Sequence, residues 1–132
     1  MVKDEKEEPM FIIAGKYKNQ KIETPPGLTT RPMLSRIRKS LMDILTPHLA
    51  EGRFLDLFSG TGIVALEALS RGARHAISID KDSNALFVAR MNAQRICPHD
   101  DYTVLEGDVL ELLPRLASRC EPFDVIGITP PY

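Results

Sequence analysis

Asp56-Leu57-Phe58-Ser59-Gly60-Thr61-Gly62-Ile63-Val64-Ala65 joins two apolar runs through a bend that holds two glycines. The first run, Phe54 to Phe58, is short and favours a strand; the second, Ile63 to Leu69, reads as a helix stopped by Gly72. A strand that ends in a glycine-rich turn and passes at once into a helix lets a ligand approach the main chain where a side chain would collide. Downstream, Ala76 to Ile79 makes a second strand whose tip carries Asp80, twenty residues after Gly60. A carboxylate there can accept hydrogen bonds from two ribose hydroxyls, so the segment reads as a nucleoside-binding layout. The competing reading is a tight turn and a surface aspartate without a ligand. It requires the register of strand, Gly-x-Gly-x-x-Ala and second-strand acid to be accidental.

The alternation continues to the end of the chain. Ser83 to Ile96 reads as a helix ended by Cys97 and Pro98, Tyr102 to Leu105 as a third strand, Val109 to Ala117 as a helix despite Pro114, and Phe123 to Ile128 as a fourth strand. Such alternation implies an α/β fold, with a parallel sheet of about four strands and right-handed crossovers. Upstream, residues 1–9 read as a disordered leader. Met10 to Gly15 and Lys21 to Thr24 read as a β-hairpin turning near Lys18 and Asn19, and Pro25-Pro26-Gly27 breaks the chain. Thr30 can cap a helix, on one face of which Leu34, Ile37, Leu41, Ile44 and Leu45 fall; Arg36, Arg38 and Lys39 lie off that face. Pro47 and Glu51-Gly52 close it. The expected organisation is a leader over 1–9, a hairpin-and-helix unit over 10–52 and the alternating domain over 53–132.

The 132 residues carry a net charge of -1, divided unevenly: residues 1–9 hold -2, residues 10–53 hold +5 and residues 54–132 hold -4. The middle block, with Lys16, Lys18, Lys21, Arg31, Arg36, Arg38 and Lys39, is where a polyanion would land. The apolar runs are far shorter than the ~20 residues a membrane span needs, and the first residues lack the apolar stretch of a secretory signal, so a cytoplasmic protein is expected. Cys97 and Cys120 have no metal-ligand spacing and read as packing residues; His48, His75 and His99 are scattered, and no metal is implied.

Gly60, Gly62 and Ala65 also satisfy the dinucleotide fingerprint, so a nicotinamide or flavin enzyme competes with other nucleoside binders. Two features separate them. Asp56 puts a carboxylate at the mouth of the site, near where phosphates would sit at a helix N-terminus, and suits a cationic ligand better. Thr129-Pro130-Pro131-Tyr132 follows the fourth strand as a rigid turn at the carboxyl edge of the sheet, beside the cleft that such folds use.

Together with Glu106-Gly107-Asp108, these motifs resemble the S-adenosylmethionine-dependent methyltransferases of the Rossmann-like class that modify exocyclic amines. Ile12 to Ile22 and Thr30 to Leu45 resemble the N-terminal hairpin and leading helix of the bacterial small-subunit ribosomal RNA guanine-N2 methyltransferases. The likeness covers Phe11 to Tyr132 and lies in the sequence of spacings. It implies S-adenosylmethionine as cofactor. Asp56 and the main chain from Ser59 through Gly60 and Thr61 to Gly62 would hold its methionine part, and Asp80 its ribose. Asp108 would accept from the adenine amine, with Ile79 or Lys81 and Val109 flanking the ring; Asp108 could equally cap the helix at Val109, and the roles can coexist.

For transfer, the resemblance implies that acceptors on the Thr129-Pro130-Pro131-Tyr132 turn draw the guanine amine towards tetrahedral geometry, with Tyr132 stacking on the base and positioning supplying most of the catalysis. The substrate would be ribosomal RNA or a partly assembled small subunit, held by the seven cations named above. Family members carry aspartate or asparagine where this chain has Thr129, whose short, branched side chain is expected to slow transfer on the order of a hundredfold. They also continue for about three more strands, so the chain is expected to be the N-terminal part of such an enzyme, with an edge at its fourth strand. The alternatives are a catalytically impaired RNA- or cofactor-binding fragment and a nicotinamide-dependent oxidoreductase.

Overall fold

Elements of the chain follow the order expected from the sequence. The structure, a computed structural model, describes residues 10–24, 35–119 and 122–128. They form β1 (Met10–Phe11), β2 (Lys21–Ile22), α1 (Ser35–Leu49), β3 (Arg53–Leu57), α2 (Ile63–Ser70), β4 (His75–Asp80), α3 (Ser83–Ile96), β5 (Asp101–Glu106), α4 (Val109–Arg119) and β6 (Val125–Ile128). The expected leader, residues 25–34 with Arg31, and the turn from Thr129 to Tyr132 lie outside the described residues. β3 pairs in parallel with β4 and β6, and β5 pairs in parallel with β4, giving the order β5-β4-β3-β6. The chain winds outward from β3 through β4 to β5, then returns to the other side of β3. Sheets of this kind bind ligands outside the carboxyl ends of the strands, where the winding reverses.

Alternate residues of each strand turn to opposite faces, and both faces are covered. Phe54 and Ala76 join a cluster with Met42 and Leu49 of α1, Leu66 and Leu69 of α2, and Ile12 and Ile22 of the hairpin. Leu55, Leu57, Ile77 and Ile79 face the other way, against Val109, Leu112, Leu113 and Leu116 of α4. The hairpin and α1 therefore share one core with the alternating domain. The sheet's two margins differ. On β5, Arg90 of α3 donates to the Val104 carbonyl at 3.2 Å; on β6, Ile126 and Ile128 stand exposed.

Among the described residues two pairs form the hairpin ladder, Met10 with Ile22 and Phe11 with Lys21; Ile12 still bonds across it to Gln20 and Asn19, and the residues that follow leave it to dock on α2. Glu67, fully buried, accepts from the amides of Ile13 (3.0 Å) and Ala14 (3.1 Å). Ser70 accepts from the Tyr17 amide (2.9 Å) and donates to the Ala14 carbonyl (2.6 Å). Gly15 passes so close that an added Cβ would lie 2.0 Å from the Ser70 carbonyl oxygen. The turn falls where expected, with Asn19 in the left-handed region at φ 72°.

α1 corrects three expectations. Arg38, expected to face RNA, is fully buried: it donates to Glu67 at 3.1 Å and to the Phe11 carbonyl at 3.0 Å. The cause is Glu67, since a carboxylate taken out of water requires a cation and hydrogen-bond donors beside it. The pairing turns Arg38, Met42 and Leu49 inward, and leaves Ile37 (52% exposed) and Ile44 (69%) of the expected apolar face in solvent. Pro47 lies within the last turn rather than ending it.

Removing one partner strands the other charge. Arg38→Met should lower the unfolding free energy by about 3–5 kcal/mol, read by urea denaturation. A loss below about 1 kcal/mol, the scale of an exposed pair, would show that Glu67 does not need Arg38.

Candidate functional site

The bend after β3 is held in three left-handed steps: Phe58 at φ 62°, Gly60 at 57° and Gly62 at 79°. Phe58 is the unexpected member, because a bulky residue is costly there, by about 1–3 kcal/mol; no local signal in the sequence marks it. Gly62 is required twice, by its φ and because an added Cβ would lie 2.7 Å from the Tyr102 hydroxyl. The bend is closed by Gly62 N–H donating to the Ser59 carbonyl at 3.1 Å, and tied to β4 by Ser59 N–H donating to the Ile79 carbonyl at 3.1 Å. α2 starts at once beyond it.

Asp80 sits beside the bend. One carboxylate oxygen accepts from the Gly60 amide at 2.8 Å and the other from the Asp82 amide at 2.9 Å. Each oxygen has a second lone pair, so the same carboxylate can shape the bend and accept from a ligand. Its carbonyl accepts from the Gly107 amide at 2.9 Å, which ties the end of β4 to the end of β5. Lys81 is exposed next to it, and Asp82 caps α3 through the amides of Asn84 and Ala85. Asp108 accepts from the Leu110 amide at 2.9 Å and so caps α4, the simpler of its two expected roles. Val109 is buried in the α4 cluster.

Asp56 is not at the mouth of the site. It is fully buried, because strand register places it opposite Ser78 and Gly127 under the start of α2. Its Oδ2 accepts from the Ser78 hydroxyl at 3.4 Å, and Ser78 is hydrogen-bonded to the Tyr102 hydroxyl at 2.7 Å. Among the described residues its Oδ1 has no partner at hydrogen-bond distance, nor does the buried Ser59 hydroxyl in the bend above. Burial raises the Asp56 carboxyl to about 7; the Ser78 hydroxyl and the Ala65 amide pull it back, and the charge of Asp80 adds to the rise. Burial also raises Tyr102, so it keeps its proton. A row of donors, Tyr102 to Ser78 to Asp56, thus points at a half-satisfied acid beneath the bend. Ser78 and Tyr102 were missed in the sequence; the only signal was a serine within an otherwise apolar strand.

Of the cations expected to face RNA, Lys18, Lys21 and Arg36 are exposed. Lys16 pairs with Asp100 at 3.3 Å and Lys39 with Asp43 at 2.7 Å; both pairs are exposed enough for a polyanion to displace. Arg38 is withdrawn into the core, as described above. Among the described residues no group of His, Cys, Asp and Glu could hold a metal ion, and no helix is long and apolar enough to cross a membrane.

The raised carboxyl has a consequence for stability. Between the ordinary value near 4 and about 7, the unfolded chain releases a proton that the folded chain keeps. The contribution of Asp56 to stability therefore falls as pH rises through that window. Asp56→Asn should gain on the parent chain between about pH 4 and pH 7 in urea unfolding; two parallel stability curves would mean that Asp56 titrates as an ordinary carboxyl.

The model of a family described as Conserved hypothetical protein 95 matches residues 10–132. The chain is 32% identical over 123 residues to YlbH of Bacillus subtilis strain 168, provisionally named an rRNA methyltransferase, covering 93% of this chain and 67% of that protein. It is 28% identical over 121 residues to ribosomal RNA small subunit methyltransferase D of Escherichia coli strain K12, covering 92% of this chain and 59% of the relative. A solved structure of a hypothetical protein from Thermus thermophilus superposes with a TM-score of 0.82 at 34% identity, covering 93% of this chain and 70% of that one. The chain thus spans about three fifths to two thirds of the curated relatives' length. Over all but its first nine residues it belongs to the Conserved hypothetical protein 95 family, and along nearly all of that length it is similar to rRNA methyltransferases.

Proposed function

We propose that the chain is the cofactor-binding part of an S-adenosylmethionine-dependent rRNA methyltransferase whose target is a guanine exocyclic amine of the small ribosomal subunit. The observation that carries the reading is the bend at 58–62, locked by Asp80 at the carboxyl end of β3 where the winding of the sheet reverses. A nucleoside can lie against main chain there, and the acid beneath it, with one oxygen unpartnered among the described residues, suits a ligand that carries positive charge. The Escherichia coli relative is named a ribosomal RNA small subunit methyltransferase, which favours this reading over a nicotinamide enzyme.

Asp80 would accept from the ribose hydroxyls with the lone pairs its amide donors leave free. Lys81, Asp108 and Val109 would form the adenine corner. Ser59 and the main chain from Gly60 through Thr61 to Gly62 would hold the methionine end, with Asp56, buried beneath them, acting through its charge rather than by contact. When bound, S-adenosylmethionine supplies an electrophilic methyl group on a cationic sulfur. Thr129, Pro130, Pro131 and Tyr132 would position the acceptor amine. RNA phosphates would be met by Lys16, Lys18, Lys21, Arg31, Arg36 and Lys39, in a cytoplasmic setting where ribosomal subunits assemble. A second reading, a cofactor- and RNA-binding protein impaired in transfer, is favoured by one observation, Thr129 in place of an acid or amide.

Calorimetry decides the first point: S-adenosylhomocysteine should bind and NAD should not, and the reverse would end the assignment. Affinity for S-adenosylmethionine should rise with pH through about 7 as the carboxyl ionises, and that rise should vanish in Asp56→Asn. Transfer of a labelled methyl to undermodified small subunits, in the parent chain and in Thr129→Asp, decides the second. A gain on the order of a hundredfold in the variant supports the positioning role, and silence in both supports the impaired reading.

A further inference from the structure

α3 turns a short apolar stripe of two large side chains to solvent. Phe87 is 61% exposed and Met91, one turn further on, is 49% exposed. The opposite side of the helix is buried through Ala85, Leu86, Ala89 and Ile96, so the stripe adds to a satisfied core face. It begins near the Asp82 cap, at the end of the helix that follows Asp80, and runs to Arg95, which donates to the Lys21 carbonyl of the hairpin. Beside it lies a groove of about 350 Å³ lined by Glu23, Met91, Asn92, Gln94 and Arg95. The groove wall is fixed: the buried Asn92 side chain accepts from the Glu23 amide at 2.9 Å and donates to the Glu23 carbonyl at 3.0 Å.

The charges around the stripe are mostly positive. Lys81 stands at one end, Arg95 and Lys21 at the other, and Arg90 on the flank. Among the described residues of the hairpin, α3 and its cap, the acids are Glu23 and Asp82, and Asp82 is committed to capping the helix. An aromatic face framed by cations suits single-stranded nucleic acid, whose bases stack on the ring while its phosphates meet the charges. We propose that this stripe is an RNA-contacting surface, with an unpaired base stacked on Phe87 and the backbone led by Arg95 and Lys21 from the hairpin towards the cofactor end of α3. The proposal rests on the RNA reading above and names where on the molecule that RNA lies.

Fluorescence anisotropy of a labelled single-stranded oligoadenylate of about 12 nucleotides tests it on the whole 132-residue chain, with S-adenosylhomocysteine affinity and thermal unfolding measured in parallel. Phe87→Ala should weaken RNA binding about tenfold or more, Phe87→Tyr should restore it, and Arg95→Gln should flatten the salt dependence. Cofactor affinity and melting should not change, since Phe87 packs on neither the bend nor the core. RNA bound equally well by the parent, Phe87→Ala and Arg95→Gln would overturn this surface while leaving the RNA reading in place. No RNA bound by a parent that still binds S-adenosylhomocysteine would overturn both. Concentration-dependent self-association abolished by Phe87→Ala, with RNA binding unaffected, would assign the stripe to a second copy of the chain instead.

Discussion

A single carboxylate, that of Glu67, holds the front of this molecule together. It lies fully buried in α2 and gathers the Ile13 and Ala14 amides, the Arg38 guanidinium and, at 2.9 Å, Nε of Arg71. Its oxygens thereby tie the hairpin, α1 and α2 into one cluster. A buried ion pair contributes little net stability by itself, because desolvation consumes most of the attraction. What it contributes is geometry: there is one arrangement in which that charge is satisfied, and α1 must present Arg38 to reach it. Arg71 extends the tie outward to Asp43 at 2.8 Å and Thr46 at 3.1 Å, which fixes the rotation of α1 as well.

The same helix links this anchor to the candidate site. α2 begins at Ile63, directly after the bend, and carries Glu67 one turn later. The hairpin grips its far end through Ser70. The bend is thus strung between a helix that cannot rotate and a strand end that Asp80 fastens to it. That explains how three left-handed residues within five positions, one of them a phenylalanine, are held in place: the surroundings over-determine the conformation. A site preformed in this way loses little ordering entropy when a nucleoside arrives.

Much of this was legible in the sequence, and the remainder fails for identifiable reasons. The strands and helices from Phe54 onward follow local rules, glycine and proline breakers and the switch between periods of 2 and 3.6, and α3 falls on its expected residues, Ser83–Ile96. The glycine bend and Asp80 were readable because the spacing of that motif is itself local. The orientation of α1 is not legible in its own sequence because a residue 29 positions away decides it; an arginine on a helix looks solvent-facing until its partner is known. Asp56 was placed at the mouth of the site because its distance from Gly60 is visible, whereas the strand register that buries it opposite Ser78 is not. Ser78 and Tyr102 escaped notice for the same reason: their meaning is a contact across three strands.

The two margins of the sheet behave differently towards other chains. At β5 a guanidinium already occupies a main-chain acceptor and places a fixed positive charge beside the strand, which blunts it as a template. At β6 the outermost residues present bare isoleucine and no such guard is seen among the described residues. Among the described residues the two margins thus differ in protection: a cation stands beside β5, while the side chains of Ile126 and Ile128 on β6 lie open.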